Sequence, residues 1–252
     1  MRVLVYASSS RTTPDRFLDL ATSLGKKLAE EGHTCVNGGG RTGCMGALNQ
    51  ACKDAGGKVV CVIHEKWVVD GEKFDFADEM LITRGGDLSE RKSKLLENAD
   101  CVISLPGGLG TFDEIMDVAC RKQLGFVPEI PICVINARGF FDGLMSQIRR
   151  AVEEGLISLE KADTVHAEET AETALDWCTS QHKIARADPS QLNDDAVVPP
   201  PSVLEKEEES YVTSTLTILR NLAFLPPILF VYSWMFMQTI SMFMKLSGEE
   251  AK

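Results

Sequence analysis

Short apolar segments alternate with longer amphipathic segments from the N-terminus to about residue 180, and this alternation restricts the fold more than any other feature. The apolar segments are rich in β-branched side chains, which is typical of strands buried on both faces of a sheet. They comprise residues 3–7, 34–37, 58–63, 100–105 and 131–136. The amphipathic segments show helical periodicity and comprise residues 16–31, 45–55, 88–98, 112–124 and 141–154. This order predicts an α/β fold, a Rossmann-like doubly wound parallel sheet.

The sequence changes character after this domain. A sixth strand at residues 164–167 and a helix from residue 168 to about residue 181 complete a domain that we expect to occupy residues 1–183. Residues 184–215 hold three consecutive prolines and an acidic cluster but few large apolar side chains. They predict a disordered linker, because nothing in them offsets the entropy lost on folding. A hydrophobic helix is predicted at residues 216–245.

The predicted C-terminal helix has the composition of a membrane span. Residues 222–244 contain no charged side chain, and a helix of about 20 apolar residues crosses the hydrocarbon layer of a bilayer. Aromatic residues occupy every side of this helix, whereas a surface helix has a polar face. We therefore expect a tail anchor on the cytosolic face of an intracellular membrane. Pro226, Pro227 and Gln238 leave a buried or dimer-forming helix as the alternative.

Charge and cysteine content exclude several classes of protein. The net charge of −11 argues against a nucleic-acid partner, which needs clustered lysine and arginine. The eight cysteines are scattered without CxxC spacing, which is typical of reduced thiols in a cytoplasmic protein. The four histidines lack metal-ligand spacing, so no metal site is predicted. No cofactor is expected either.

A glycine-rich segment, residues 106–114 (the PGG motif, PGGLGTFDE), lies between a predicted strand and a predicted helix. Glycines let the backbone approach a phosphate, and the N-terminus of the following helix favours negative charge. Thr111 is expected to cap this helix and to donate to a phosphate oxygen. The candidate phosphate-binding residues here are Gly107, Gly108, Gly110 and Thr111. A single loop of this kind is often only a structural turn.

A second glycine-rich segment strengthens the prediction of an anion site. Residues 38–46 (the GGG motif, GGGRTGCMG) also follow a predicted strand. The carboxyl ends of parallel strands meet at one edge of a sheet, so both motifs belong to the same edge. Gly39 and Gly40 are the candidates in this motif, and Ser8, after the first strand, is a candidate hydroxyl donor.

Arg91, Lys92 and Glu114 are the candidate charged groups. Arg91 and Lys92 lie on the helix before the strand that leads into the PGG motif. Glu114 is the last residue of this motif and lies in the first turn predicted for the following helix. A carboxylate stabilises the oxocarbenium-like charge that develops on ribose when an N-glycosidic bond breaks. An arginine can hold a 5′-phosphate bidentately. The structural alternatives are a solvated basic pair and a carboxylate placed by the helix dipole.

These motifs resemble those of a known family, the LONELY GUY (LOG) proteins. These are cytokinin riboside 5′-monophosphate phosphoribohydrolases formerly labelled lysine decarboxylase-like. The family signature PGGxGTxxE is matched from Pro106 to Glu114, and its upstream Arg-Lys pair falls on Arg91 and Lys92. The similarity continues through the GGG motif and covers roughly residues 1–180.

The resemblance implies hydrolysis of a cytokinin or adenine nucleoside 5′-monophosphate to free base and ribose 5-phosphate. Arg91 and Glu114 match the family's catalytic pair, and Lys92 with the PGG residues would contact the nucleotide. The working unit would be a homodimer or larger. Residues 65–80, with Trp67 and Phe74, are expected to form a loop over the base.

Two departures from the family pattern and two other functions bear on this interpretation. Leu88-Ser89 and Cys120-Arg121 replace residues on the base and ribose side, so AMP or another purine monophosphate is the alternative to an isoprenoid nucleotide as substrate. The main alternative function is a non-catalytic module that binds AMP-like nucleotides at a membrane. A dinucleotide-dependent oxidoreductase is disfavoured, because the first strand is not followed by GxGxxG.

Overall fold

The computed structural model describes residues 1–187, and in this part of the chain seven parallel strands form one sheet. The strands are β1 Arg2–Tyr6, β2 Thr34–Asn37, β3 Lys58–His64, β4 Glu79–Thr83, β5 Cys101–Ser104, β6 Ile132–Ile135 and β7 His166–Glu168. Their order across the sheet is β4-β3-β2-β1-β5-β6-β7. The α/β fold and the parallel sheet expected from the sequence are therefore confirmed.

Within residues 1–187, seven α-helices cover both faces of the sheet. They are α1 Asp15–Glu30, α2 Gly43–Asp54, α3 Glu65–Val69, α4 Ser89–Leu96, α5 Leu109–Gln123, α6 Asp142–Glu153 and α7 Ala171–Ala187. Side chains of β1 alternate between the faces, so Val3 and Val5 pack with α1, α2 and α7 whereas Leu4 and Tyr6 pack with α4 and α5. The sheet thus has two apolar cores, as doubly wound folds require.

The order in which strands are added to the sheet reverses between the neighbouring strands β1 and β5. Strands β2 to β4 extend the sheet on one side of β1, and β5 to β7 extend it on the other. The carboxyl ends of β1 and β5 are adjacent, with Tyr6 opposite Ser104 and the Leu105 amide donating to the Tyr6 carbonyl at 2.8 Å. In open α/β sheets, ligands bind in the crevice at this switch point.

Residues 65–80 differ from their prediction as a loop. They contain α3 and the start of β4, an edge strand paired only with β3. The sequence does not reveal either element, because a five-residue helix is too short to show periodicity and β4 has the mixed exposure of an edge strand. Helix α7 also continues to Ala187, beyond its predicted end near residue 181.

The predicted linker (184–215) lies almost wholly, and the predicted hydrophobic helix (216–245) entirely, outside the described residues. Within residues 1–187, no helix is both long enough and apolar enough to cross a membrane.

Candidate active site

A buried ion pair between Arg91 of α4 and Glu114 of α5 lies at the carboxyl edge of the sheet. Arg91 Nη1 donates to Glu114 Oε1 at 2.9 Å, and the two residues are only 6% and 8% exposed. The rest of the guanidinium is also engaged. Its Nε donates to the Val62 carbonyl at 3.1 Å, and its carbon lies 5.3 Å from the centre of the Trp67 ring. Two charges buried this way persist only when they are mutually paired and hydrogen bonded.

Burial and charge act in opposite directions on Glu114. Desolvation raises the pKa of its carboxyl group, and the adjacent Arg91 guanidinium lowers it, with burial the larger effect. The pKa of Glu114 therefore lies above the usual range for a glutamate. A carboxyl group with a raised pKa beside a cavity is typical of a residue that transfers protons or stabilises charge in a reaction.

The GGG motif is shaped by the arginine that it surrounds. A Cβ at Gly38 would lie 2.0 Å from Arg91 Nη2, so only glycine leaves room for the guanidinium. The buried Asn37 fixes the start of the loop, because its Oδ1 accepts from the Gly39 amide at 2.9 Å and its Nδ2 donates to Asn49. Gly38 and Gly40 line the cleft, whereas Gly39, a predicted binding residue, is buried with φ +74° beside Cys61.

The PGG motif enters its helix earlier than the sequence suggests. Helix α5 begins at Leu109 with Gly108 as N-cap and no side-chain cap. Thr111 is therefore not the cap, and Glu114 lies in the second turn rather than the first. The physical reason is that Gly110 adopts a helical backbone conformation, so the glycines do not delay the helix.

The three glycines of the PGG motif have two different roles. A Cβ at Gly107 would lie 2.1 Å from Thr111 Oγ1, so Gly107 is required for packing within the motif. Gly108 and Gly110 face open space, with nothing within 4 Å of a Cβ at either position. Side chains there would occupy the cleft where the first amides of α5 lack helical acceptors. These amides form a potential anion-binding surface.

Lys92 extends the charged network along α4 and α5. Its Nζ lies 3.1 Å from Asp117 and 3.3 Å from Asp113, and Arg121 also pairs with Asp117 at 2.8 Å. Burial alone would lower the pKa of Lys92, but the two carboxylates outweigh it and the pKa is raised. Lys92 is therefore a permanent cation at the edge of the cleft.

Hydroxyl groups from the loop after β1 lie at the same edge of the cleft. Ser8 Oγ accepts from the Ser10 amide at 3.2 Å and lies 2.9 Å from Thr13 Oγ1. The Ser8 carbonyl accepts from the Met45 amide at 3.0 Å, which ties this loop to α2. Ser8 consequently lies beside both glycine motifs.

One cleft with two parts unites these groups. The PGG cavity, about 360 Å³, is lined by Ser8, Arg91, Lys92, Gly108, Gly110, Thr111 and Glu114 among others. The GGG cavity, about 260 Å³, lies between the GGG motif and α3. Ser9, Met45, Trp67 and Arg91 line both cavities, so the two are adjacent and share this part of their walls. Among residues 1–187, no cluster of histidine, cysteine and carboxylate side chains could hold a metal ion.

Comparison with known proteins identifies the family. A family model described as "Possible lysine decarboxylase" matches residues 45–178, which is more than half of the chain. The chain is 35% identical over 177 residues to the cytokinin riboside 5′-monophosphate phosphoribohydrolase of Mycobacterium marinum, covering 70% of this chain and 92% of that protein. The chain belongs to the LOG family. The family resemblance found in the sequence is thus confirmed.

Other relatives of this LOG-family chain cover it to different extents. It is 36% identical over 157 residues to the phosphoribohydrolase LOG of Oryza sativa subsp. japonica. That match covers 62% of this chain and 64% of the rice protein, so the chain spans less than two thirds of that relative. A molybdenum cofactor binding protein of Rippkaea orientalis has a TM-score of 0.54 at 21% identity, covering 71% of this chain and 96% of that one. At this identity the likeness shows the fold alone.

Several residues of the LOG-family cleft were not singled out by the sequence analysis. Glu72 and Met45 line it, and no sequence signal distinguishes them. Trp67 lines both cavities, as the predicted cover of the site should, but Phe74 is buried and lines neither. Arg91 Nε and Nη1 already donate to Val62 and Glu114, and the bidentate contact of Arg91 with a phosphate stays a prediction.

Two substitutions in the PGG motif separate packing from ligand space. Gly110→Ala should leave the free energy of unfolding within about 1 kcal/mol of the native value, yet abolish any stabilisation by added inorganic phosphate, because its methyl group enters the cavity. Gly107→Ala should itself destabilise by about 1–3 kcal/mol, since it clashes with Thr111. Thermal unfolding with phosphate, against chloride of equal ionic strength, measures both. Equal phosphate stabilisation of Gly110→Ala and the native chain would place the anion elsewhere.

Proposed function

We propose that this chain hydrolyses the N-glycosidic bond of a cytokinin or adenine nucleoside 5′-monophosphate, releasing the base and ribose 5-phosphate. The observation that carries the proposal is the buried Arg91–Glu114 pair, which faces a cavity beside the N-terminus of α5. The relatives in rice and Mycobacterium marinum bear the name of this activity. The family and the geometry of the cleft support the same chemistry.

The 5′-phosphate is assigned to the PGG cavity. Gly108, Gly110 and Thr111 present the first amides of α5 there, and a helix N-terminus favours an anion. Ser8 adds a hydroxyl group, and Lys92 adds a positive charge at the rim. This arrangement holds an anion through local donors although the protein carries a net charge of −11.

The ribose then lies against the ion pair. The bond between C1′ and the base nitrogen breaks, and its electron pair leaves with the base, which takes up a proton that balances the one released when the attacking water bonds to C1′. The Glu114 carboxylate stabilises the positive charge on C1′ and orients the water whose oxygen bonds to that carbon. Arg91 lowers the pKa of Glu114 and fixes its position through the hydrogen bond between Nη1 and Oε1.

A module that only bound the nucleotide would not need Glu114. A buried carboxylate near a bound phosphate lowers affinity through repulsion between like charges. This loss of affinity is offset when the same carboxylate stabilises a cationic transition state. The geometry therefore favours hydrolysis over the non-catalytic alternative.

We further propose that residues 216–245 anchor the enzyme to the cytosolic face of an intracellular membrane. The support is the uncharged run at residues 222–244. The acidic, proline-rich residues 184–215 would separate the anchor from a catalytic domain at residues 1–183. The scattered cysteines fit a reducing cytoplasm, and seven of the eight are buried.

A homodimer is the proposed working unit. Leu109 and Met116 are exposed on α5 and lie seven residues apart, on one face of the helix. Exposed apolar side chains beside a cleft are typical of a protein interface.

Sedimentation velocity of the full chain in mild detergent should give twice the mass of one chain, and Met116→Lys should shift the measured mass to that of the monomer.

Glu114→Gln tests the proposed reaction. The amide keeps the shape of the side chain and can still accept from Arg91, but it cannot stabilise a cation by charge. We expect kcat to fall by about 10²–10³-fold, the range for loss of one electrostatic stabiliser. Release of ribose 5-phosphate from AMP and from isopentenyladenosine monophosphate is measured by chromatography.

Glu97→Gln is the matched control, because Glu97 ends α4 at the surface and pairs with Lys94. It should retain the native rate. If the native chain binds these nucleotides but cleaves none of a wider monophosphate panel, the chain is a binding module and the hydrolase proposal is wrong.

The pH dependence of kcat should follow the ionisation of Glu114. The reaction needs the carboxylate, so kcat rises with pH as Glu114 loses its proton. Because the pKa of Glu114 is raised, this rise lies at a higher pH than the ordinary glutamate pKa of about 4.3. The Asp113 charge raises this pKa and the Lys92 charge lowers it. Asp113→Asn should move the acid limb to lower pH, and Lys92→Gln should move it to higher pH. Shifts in the same direction would assign the limb to another group.

Membrane anchoring is tested by flotation of the full chain with phosphatidylcholine vesicles. The native chain should float with the vesicles, and a variant with Leu229→Arg and Phe236→Arg should remain in the dense fraction, because charge at the centre of a span opposes insertion. Equal flotation of the two would exclude residues 216–245 as the anchor.

A further inference from the structure

Arg121 of α5 is a charged residue near the cleft to which the proposed reaction gives no role. It belongs to one of the two departures from the family pattern, which the sequence places on the base and ribose side. In the structure it lines neither the PGG cavity nor the GGG cavity. Its side chain is only 27% exposed and contacts neighbours on α4 and α5. Any influence of Arg121 on a ligand in the cleft is therefore indirect.

The guanidinium of Arg121 holds Asp117 in one orientation. Its Nε lies 2.8 Å from Asp117 Oδ2 and its Nη2 lies 3.5 Å from Oδ1, so two donors engage the two oxygens of one carboxylate. Its Nη1 also donates to Ser93 Oγ of α4 at 3.0 Å. Arg121 therefore links the two helices that carry the Arg91–Glu114 pair.

Asp117 in turn contacts Lys92, the cation at the rim of the PGG cavity. Its Oδ1 lies 3.1 Å from Lys92 Nζ, and Asp113 Oδ1 lies 3.3 Å from the same nitrogen. The Lys92 and Asp117 side chains are only 17% and 20% exposed, so solvent screens their interaction less than at an open surface. Two carboxylates face two cations in this cluster, and their charges balance only while Arg121 is present.

Removal of the Arg121 charge acts on a bound phosphate in two ways. The Asp117 carboxylate loses its closest cation, so the cluster beside the cavity gains net negative charge. The same carboxylate then attracts Lys92 more strongly and draws its ammonium group away from an anion in the cavity. Both changes weaken the binding of a phosphate, and neither alters the ion pair that faces the ribose.

We propose that Arg121 is a positioning residue for the substrate phosphate: it neutralises and orients Asp117, which leaves the Lys92 ammonium group available to the anion in the PGG cavity. The proposal rests on the proposed function for the placement of the 5′-phosphate in that cavity. Arg121 itself touches no part of the nucleotide. The cluster acts on the phosphate, so its effect is the same for every base.

The affinity for ribose 5-phosphate, measured by calorimetry with the full chain in mild detergent, tests this role. Arg121→Gln should weaken it by about 3- to 10-fold, the size expected for one partly exposed charge near a bound anion. Arg121→Lys keeps the charge and should recover most of the loss.

Lys122→Gln is the matched control, because it removes the same charge from the next residue of α5, which pairs with Glu129 instead. Its affinity for ribose 5-phosphate should equal that of the native chain. An equal loss in Lys122→Gln and Arg121→Gln would reduce the effect to net charge and overturn the proposal. Native affinity in Arg121→Gln would overturn it as well.

A double-mutant cycle shows whether Arg121 acts through Asp117. In an Asp117→Asn chain there is no carboxylate to neutralise, so the further change Arg121→Gln should alter the affinity for ribose 5-phosphate by less than about 2-fold. A loss as large as in the native background would mean that Arg121 acts without Asp117, and the proposal would be wrong.

Kinetics separate this inference from the hydrolase proposal. If AMP is cleaved, Arg121→Gln should raise KM by the same factor as the loss of affinity, while kcat stays within about 2-fold of the native value. A fall in kcat at unchanged KM would assign Arg121 to the reacting centre and contradict its positioning role. If no nucleotide is cleaved, the hydrolase proposal fails, whereas the affinities for ribose 5-phosphate still decide the role of Arg121. A native chain that binds no ribose 5-phosphate would overturn that role.

Discussion

The burial of two opposite charges, Arg91 and Glu114, is the constraint on which the rest of the cleft depends. Ions removed from water must be compensated by nearby partners, and here each ion is the principal partner of the other. The Val62 carbonyl at the end of β3 accepts from the guanidinium, Trp67 covers it, and Gly38 has no side chain to displace it. The loops after β2 and β3 are therefore shaped by the need to hold one arginine against one glutamate.

The topology of the sheet explains why a phosphate site can form beside this pair. The order of the strands places the ends of β1 and β5 next to each other, so the Ser8 loop and the PGG motif face a common crevice. The proposed phosphate site uses backbone amides, whose partial charges are directed at one point. An acidic protein can thus bind an anion without a basic surface.

The two glycine motifs and the edge of the sheet differ in how strictly they require particular residues. In the PGG and GGG motifs, neighbouring side chains lie so close to the backbone of Gly107 and Gly38 that only glycine fits at these positions. Trp67 and Glu72 lie instead on α3 and the turn before β4, at the edge of the sheet. Neither residue belongs to an apolar core, so substitutions there change the cavity wall and leave both cores intact.

Local patterns in the sequence were sufficient for the fold and for the identity of the charged residues. Continuous apolar runs and helical periodicity mark β1, β2, β3, β5 and β6 because burial repeats with the geometry of each element. The start of α5 was misplaced, since glycines read as loop residues can also occupy a helical turn. The edge strand β4 and the short helix α3 were missed because neither buries enough residues to leave a pattern.

The sequence alone determined the alternation of strands and helices and the positions of the two glycine motifs, because periodicity and glycine content are patterns of neighbouring residues. Only the tertiary structure decided that Arg91 and Glu114, 23 residues apart, form a buried pair, and that Trp67 and Glu72 face the same cleft. Those contacts join side chains from separate elements across the edge of the sheet. Their geometry is set by how the elements pack, and sequence periodicity contains no record of that packing.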